Sequence, residues 1–188
     1  MDRIEIRPLE QLDRPRLREI MAGYTSTQRY AARKQESDRR TVIALELEPL
    51  AAPHVRNYWE CLSEDDLKRY EGFLAEGFSL GAYRNGAWIG VALAEVQGWN
   101  RVLSVWELHV HPDHRRQGIG RRLLDELAVR ASALGLRALT VETQNTNVAA
   151  IHFYRQAGFS IEGIDLSYYT NQDAEDGEVA VFLRRKLG

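Results

Sequence analysis

A chain of 188 residues, 44% hydrophobic and 28% charged, is long and apolar enough to bury one core, and a single domain over 1-188 is expected. Its 25 Lys and Arg nearly balance 27 Asp and Glu, which argues against nonspecific nucleic-acid binding. Cys61 is the sole cysteine, excluding an internal disulfide and paired-thiolate zinc ligation; with no run of 18 apolar residues and no apolar secretory segment at the start, a cytoplasmic protein without a membrane span is expected.

Arg3 to Arg7 alternates polar and apolar residues and reads as a short strand, after which Leu9, Leu12, Leu17, Ile20 and Met21 recur at roughly helical spacing. Ser26 to Arg40 is polar, mixed in charge and without a period, compatible with a loop or with a helix that covers a ligand. Thr41 to Glu48 places Ile43, Leu45 and Leu47 on one face and Val42, Ala44, Glu46 and Glu48 on the other, as in a half-buried strand, and Pro49 is expected to end it. Pro53 to Glu76 reads as a helical region in which Ser63 caps a helix opening on Glu64, Asp65 and Asp66.

Phe78 to Arg84, Trp88 to Gln97 and Val102 to His111 read as a meander of three antiparallel strands. Asn85-Gly86 marks its first turn, and Gly98 and Asn100 its second. From Gly118 the period changes to that of a helix, with Leu123, Leu124, Leu127, Ala128, Ala131 and Leu134 on one face and Gly135 at its end. A strand over Leu136 to Glu142, a helix over Asn147 to Gln156 with Ala150, Ile151 and Tyr154 on one side, and strands near Phe159 to Tyr168 and Glu178 to Arg185 follow, the last two flanking an acidic turn. The class is α/β (α+β), with a mixed, mostly antiparallel central sheet flanked by helices.

The informative segment is Leu108 to Leu124, where a strand passes through a polar turn into Arg115-Arg116-Gln117-Gly118-Ile119-Gly120 and directly into a helix. A helix start leaves backbone N–H groups without partners, and two glycines let an anion approach them. Arg115, Arg116 and Arg121 add positive charge. A dinucleotide motif fits poorly, because Leu123 holds the third glycine position and a polar linker separates strand from helix, and GxxxxGK[ST] is absent.

Arg115-x-x-Gly118-x-Gly120 resembles the coenzyme A motif of the GCN5-related N-acetyltransferase (GNAT) superfamily. Asn147-x-x-Ala150-x-x-Phe153-Tyr154-x-x-x-Gly158-Phe159 is similar to its second signature. The resemblance implies a GNAT fold that transfers acetyl from acetyl-CoA to an amine by direct attack in a ternary complex, with neither a metal nor a covalent enzyme intermediate. It implies that Gln117 to Arg121, with Arg115 and Arg116, take the pyrophosphate. Leu108, His109 and Val110 would meet the pantetheine arm where Glu107 to Val110 splays from Glu142 to Asn145. Asn147 and Ala150 would face the coenzyme, and Tyr154 would protonate the leaving thiolate, as suits a phenol; a core aromatic is its alternative reading. For the base, Glu107 is the first candidate, with Glu46, Glu142 and Glu178 also in predicted strands. His109, His111 and His114 raise metal ligation or, alternatively, polar packing beside the loop.

Trp99-Asn100-Arg101, Glu142-Thr143-Gln144-Asn145 and Glu178 to Phe182 are similar to segments of streptothricin acetyltransferases. This narrower resemblance implies a small-molecule partner, a primary amine on a small cationic acceptor, which the six acids from Glu162 to Glu178 would suit. Another amine (a polyamine, an amino-acid derivative or a protein) and a non-catalytic acetyl-CoA sensor are the alternatives. Monomer and homodimer both stay open.

Overall fold

The computed structural model describes residues 3–188. The fold is mixed α/β with a mostly antiparallel sheet flanked by helices, and the chain divides into two compact units, 3–23 with 57–140 and 185–188, and 24–56 with 141–184.

In the first unit β1 (Ile4–Pro8) leads to α1 (Arg14–Ile20), entered through Asp13, whose side chain accepts the Arg16 N–H at 3.0 Å, and through Pro15. Leu9 and Leu12 precede this helix, yet both are buried beside Leu17, Ile20 and Met21. Helix α2 (Glu64–Phe73) opens on a capping box: the Ser63 hydroxyl accepts the Asp66 N–H at 3.1 Å, and the Asp66 carboxylate accepts the Ser63 N–H at 2.8 Å. Those bonds from Ser63 hold the Asp66 carboxyl below the ordinary carboxylate range. Replacing Ser63 with alanine is expected to cost about 1 kcal/mol, read as a thermal midpoint lower by about 3 °C.

Strands β4 (Leu80–Arg84), β5 (Ala87–Gln97) and β6 (Val102–Val110) follow as an antiparallel meander, giving the order β1-β4-β5-β6 in this unit. Asn85 and Gly86 both adopt positive φ, 50° and 80°, as the tight turn between β4 and β5 requires. Helix α3 (Ile119–Ala133) buries Ile119, Leu123, Leu124, Leu127, Ala128 and Ala131, about 2 kcal/mol for each leucine taken from water. Its start lies close on the sheet: a Cβ on Gly90 of β5 would come within 3.3 Å of both the Ile119 side chain and the His109 carbonyl oxygen. Leu134 does not join the buried face. The Gly135 N–H donates to Ser132 and the Leu136 N–H to Ala131, a glycine stop that unwinds the chain at Leu134 and leaves it 66% exposed.

The second unit corrects several expectations. Ser26 to Arg40 is neither loop nor helix: β2 (Tyr24–Ser37) pairs antiparallel with β3 (Arg40–Arg56) in a long hairpin. Pro49 does not end its strand. The register jumps from Ser26↔His54 to Gln28↔Pro49, so residues 50–53 form a bulge that holds Pro53, and Pro49 stands at its margin, paired with Gln28. The helical region therefore begins after Arg56, and Ile43 and Leu47, expected on a half-buried face, are exposed. Strand β7 (Ala138–Gln144) carries the chain into this unit, α4 (Val148–Gln156) follows, and β8 (Ser160–Asp165) pairs antiparallel with β9 (Ala180–Lys186) in the order β7-β9-β8. The acidic turn holds a single helical turn, α5 (Asp173–Asp176), and Glu178 lies in the coil before β9 instead of in a strand.

Candidate active site

In the first unit β6 gives way at Val110 to a 3-10 turn, Pro112–His114, and then to the glycine loop. Arg115 fastens the loop to the body of the unit: its Nε donates to the Val110 carbonyl at 3.1 Å and its guanidinium to the Ala22 carbonyl at 3.0 Å. Arg116 takes a positive φ of 61° and is exposed, and Gly118 enters α3 with φ 78°, a region that a side chain adopts only under strain.

The contrast among helix starts is chemical. Helices α1, α2 and α4 each begin on a side chain that accepts a first-turn N–H, whereas α3 has no side-chain cap and no acid in its first turn. Its leading amides therefore keep their donors and the positive end of the peptide dipoles for an incoming anion.

Arg84 of β4 adds charge beside the loop. Its two terminal nitrogens reach Gln117 Oε1 at 2.7 Å and His114 Nδ1 at 3.3 Å, while its buried Nε has no hydrogen-bond partner among the described residues. Burial, helped by the charge of Arg84, lowers the His114 pKa and keeps the ring neutral, as an acceptor from Arg84 must be. Arg121 is directed along the helix to Asp125, with contacts of 3.1 and 3.2 Å.

Strand β6 also sets the carboxylate. Its register with β5 passes from Leu93↔Glu107 to Ala94↔Val105, so Trp106 is an extra residue and the pleat changes phase there. Two consecutive side chains consequently meet α2. Trp106 stacks on Phe73 with ring centroids 6.0 Å apart, and Glu107 accepts the Tyr70 O–H at 2.5 Å. Glu107 Oε2 lies 2.6 Å from His109 Nε2, and the His109 ring meets Tyr58 edge-on at 5.0 Å. Leu108 and Val110, half-buried, occupy the alternate positions opposite Ala92 and Gly90.

In the second unit Asn147 caps α4, its side chain accepting the Ala150 N–H at 3.1 Å. Tyr154 is buried among Phe153 and Phe159, with ring centroids 5.3 and 5.5 Å away, and Ala150 is half-buried on the same helix. The Glu142 carboxylate accepts the Tyr169 O–H; burial, reinforced by the facing carboxylate, raises the pKa of that phenol well above its ordinary value. Glu178 is paired with Arg56 and lies 3.5 Å from His54. Asp173 is spent internally, accepting the Tyr169 and Thr170 N–H groups at 2.7 Å; these bonds hold its pKa low against the opposing effect of burial. Glu46 pairs with Arg33 on the hairpin.

Of the candidate residues, Glu107 to Val110 and Arg115 to Arg121 are therefore gathered in the first unit, and Asn147, Ala150 and Tyr154 in the second. Sequence reasoning missed Tyr70, Arg84 and the bulge. A tyrosine three residues before Phe73 on a capped helix was the only hint, and it reads equally well as core. Among the described residues no group of three His, Cys, Asp or Glu is placed to hold a metal, and His109, His111 and His114 are engaged with Glu107, the Asp113 N–H and Arg84. Nor is any helix among those residues long and apolar enough to cross a membrane.

A bulged strand feeds an uncapped, arginine-flanked helix start, a geometry suited to an anion, in a mixed α/β fold. Residues 42–159 match the Acetyltransferase (GNAT) family, and the chain belongs to it. It is 37% identical over 94 residues to streptothricin acetyltransferase from Streptomyces lavendulae, covering 50% of this chain and 49% of that protein. It is 32% identical over 80 residues to the [ribosomal protein bS18]-alanine N-acetyltransferase of Escherichia coli strain K12, covering 43% and 54%. The chain thus spans about half the length of the curated relatives it matches. Its fold superposes with a TM-score of 0.77, at 25% identity and over 98% of this chain and 99% of the other, on a Bacillus anthracis protein assigned as a streptothricin acetyltransferase and solved with acetyl coenzyme A.

Proposed function

We propose that the chain transfers acetyl from acetyl-CoA to a primary amine on a small cationic molecule of the streptothricin kind. The observation that carries this reading is the start of α3, which Gly118 enters at positive φ with neither a side-chain cap nor a first-turn acid. Acetyl-CoA brings a thioester and a pyrophosphate, and the residues present fit the latter: a helix start at 118–120 with no side-chain cap and no first-turn acid, with Arg115, Arg116, Gln117 and Arg121 alongside. Leu108, His109 and Val110 offer β6 to the pantetheine arm, and Asn147 and Ala150 serve the coenzyme from α4.

The chemistry needs the nitrogen to lose two protons and the sulfur to gain one. Glu107 accepts one from the acceptor ammonium, directly or through water, so that the amine lone pair is free to form the C–N bond. Tyr154 donates one to the sulfur as the C–S bond breaks, and the second proton, lost by the nitrogen once the C–N bond has formed, restores the Tyr154 phenol through solvent. No covalent enzyme intermediate and no metal enters this sequence, and alignment of the two reactants supplies much of the acceleration. On this reading residues 1-188 act as one catalytic domain in the cytoplasm, with no nucleic-acid or membrane partner. A protein amine is the second reading, favoured by the likeness to the bS18-alanine enzyme.

Thiol release measured with streptothricin, polyamines and an alanine-initiated peptide tests both. Release with streptothricin supports the first reading and release with the peptide alone the second, while coenzyme binding without release from any amine would mark a sensor. Tyr154→Phe is expected to lower kcat about 100-fold, the scale of a lost general acid, with coenzyme affinity unchanged; an unaltered rate would return Tyr154 to a packing role.

A further inference from the structure

Glu107 is held from two sides. The Tyr70 hydroxyl, from α2, donates to Oε1 at 2.5 Å, and His109, two residues along β6, places Nε2 2.6 Å from Oε2. A carboxylate oxygen accepts only, so the shared proton lies on His109 Nε2. The donors act on different oxygens and come from different elements, which fixes the carboxylate plane as well as its position.

The holders are themselves fixed. Tyr70 is 6% exposed and packs against Phe73 with ring centroids 5.9 Å apart, and His109 is 8% exposed against the Tyr58 ring. The strand bulge at Trp106 makes the arrangement possible, because a regular pleat would turn Glu107 away from the face that meets α2. Burial, and then the charge of Glu107, push the Tyr70 hydroxyl far above its ordinary pKa, so it stays a donor at every working pH.

We propose that the side chains of Tyr70 and His109 position the base for amine deprotonation, acting only through Glu107, while the main chain of His109 remains free to serve the pantetheine arm. The inference rests on the acetyl-transfer reading above. The ammonium proton passes to a Glu107 oxygen, each of which retains an acceptor site beyond the one already used. Tyr70 and His109 keep their own protons throughout, and the thiolate takes its proton from Tyr154.

The test is steady-state kinetics on the full chain with the amine that gives most thiol release. Tyr70→Phe keeps the buried ring and removes only the donor. Its kcat should fall about tenfold, within the range by which misplacement slows reactions, with KM for acetyl-CoA unchanged. His109→Gln, which restores an N–H near Nε2, should retain more activity than His109→Ala, and this pair of variants carries the test if Tyr70→Phe does not fold. Wild-type kcat in folded Tyr70→Phe, or equal rates in the two His109 variants, overturns the inference while leaving acetyl transfer intact. Absence of turnover by the unmodified protein with every amine removes the acetyl-transfer reading, and the inference with it.

Discussion

Gly120→Glu is expected to lower acetyl-CoA affinity by about 200-fold while leaving the protein at least as stable as before. Position 120 lies in the first turn of α3, where the leading amides have no side-chain acceptor and no neighbouring acid. A carboxylate there complements the positive end of the helix and by itself favours folding by about 0.3–1 kcal/mol. For a bound pyrophosphate the same charge is repulsive: at about 5 Å and an effective dielectric constant near 20 it costs about 3 kcal/mol, which converts to that loss of affinity. The two effects have opposite signs, so calorimetric titration with CoA beside thermal unfolding separates a damaged site from a damaged fold. Affinity equal to that of the unmodified protein would remove the pyrophosphate from this helix start.

How far the sequence exposes this architecture depends on where burial is one-sided. The leucines of α3, the Asn85-Gly86 turn and the Ser63 cap are local signals with one physical solution each, and the structure contains all three. The β2–β3 hairpin has no such signal. Arg29 and Arg33 on one strand face Glu48 and Glu46 on the other, so the pairs that align it are charged, solvated and separated in the sequence. Hydropathy alternation cannot mark a ribbon whose far half, residues 33–43, is mostly exposed, and two prolines conceal a bulge.

The candidate site divides the same way. The glycine loop is contiguous and legible as a motif. The setting of Glu107 depends on a one-residue change of pleat at Trp106 and on a tyrosine 37 positions away, and neither leaves a periodic trace. Arg84 was likewise hidden, because its bonds to His114 and Gln117 cross from one hairpin to a distant loop.

Asn145 illustrates a further class of illegible residue, and Asn145→Ala is the substitution expected to cost the most stability. Asn145 is 1% exposed at the end of β7. Its main chain exchanges bonds with two separate segments, donating to Val179 and accepting from Tyr30, both at 3.0 Å. Its side chain repeats the pattern: Nδ2 donates to the carbonyls of Tyr30 at 2.8 Å and Gly177 at 3.2 Å, while Oδ1 accepts the Val179 N–H at 2.9 Å. One amide thus joins strand β2, the turn after α5 and the entry to β9, where no ladder could reach all three. Truncation strands the N–H of Val179, itself 1% exposed, and leaves two half-buried carbonyls partly wet. A buried group without a partner costs about 1–3 kcal/mol, and counting the amide fully with the carbonyls in part gives about 4 kcal/mol, or a thermal midpoint lower by about 10 °C. Asn145→Asp should be no better, since it keeps the bond to Val179 but turns a charged oxygen toward two carbonyls. Proteolysis within Ser26 to Arg40 should quicken in both variants, because Tyr30 loses a tie that holds β2 in place. A loss under 1 kcal/mol would mean that water enters and replaces the amide, and that β2 is held by its pairing with β3 and by its remaining bonds, the main-chain bond from Tyr30 to residue 145 among them.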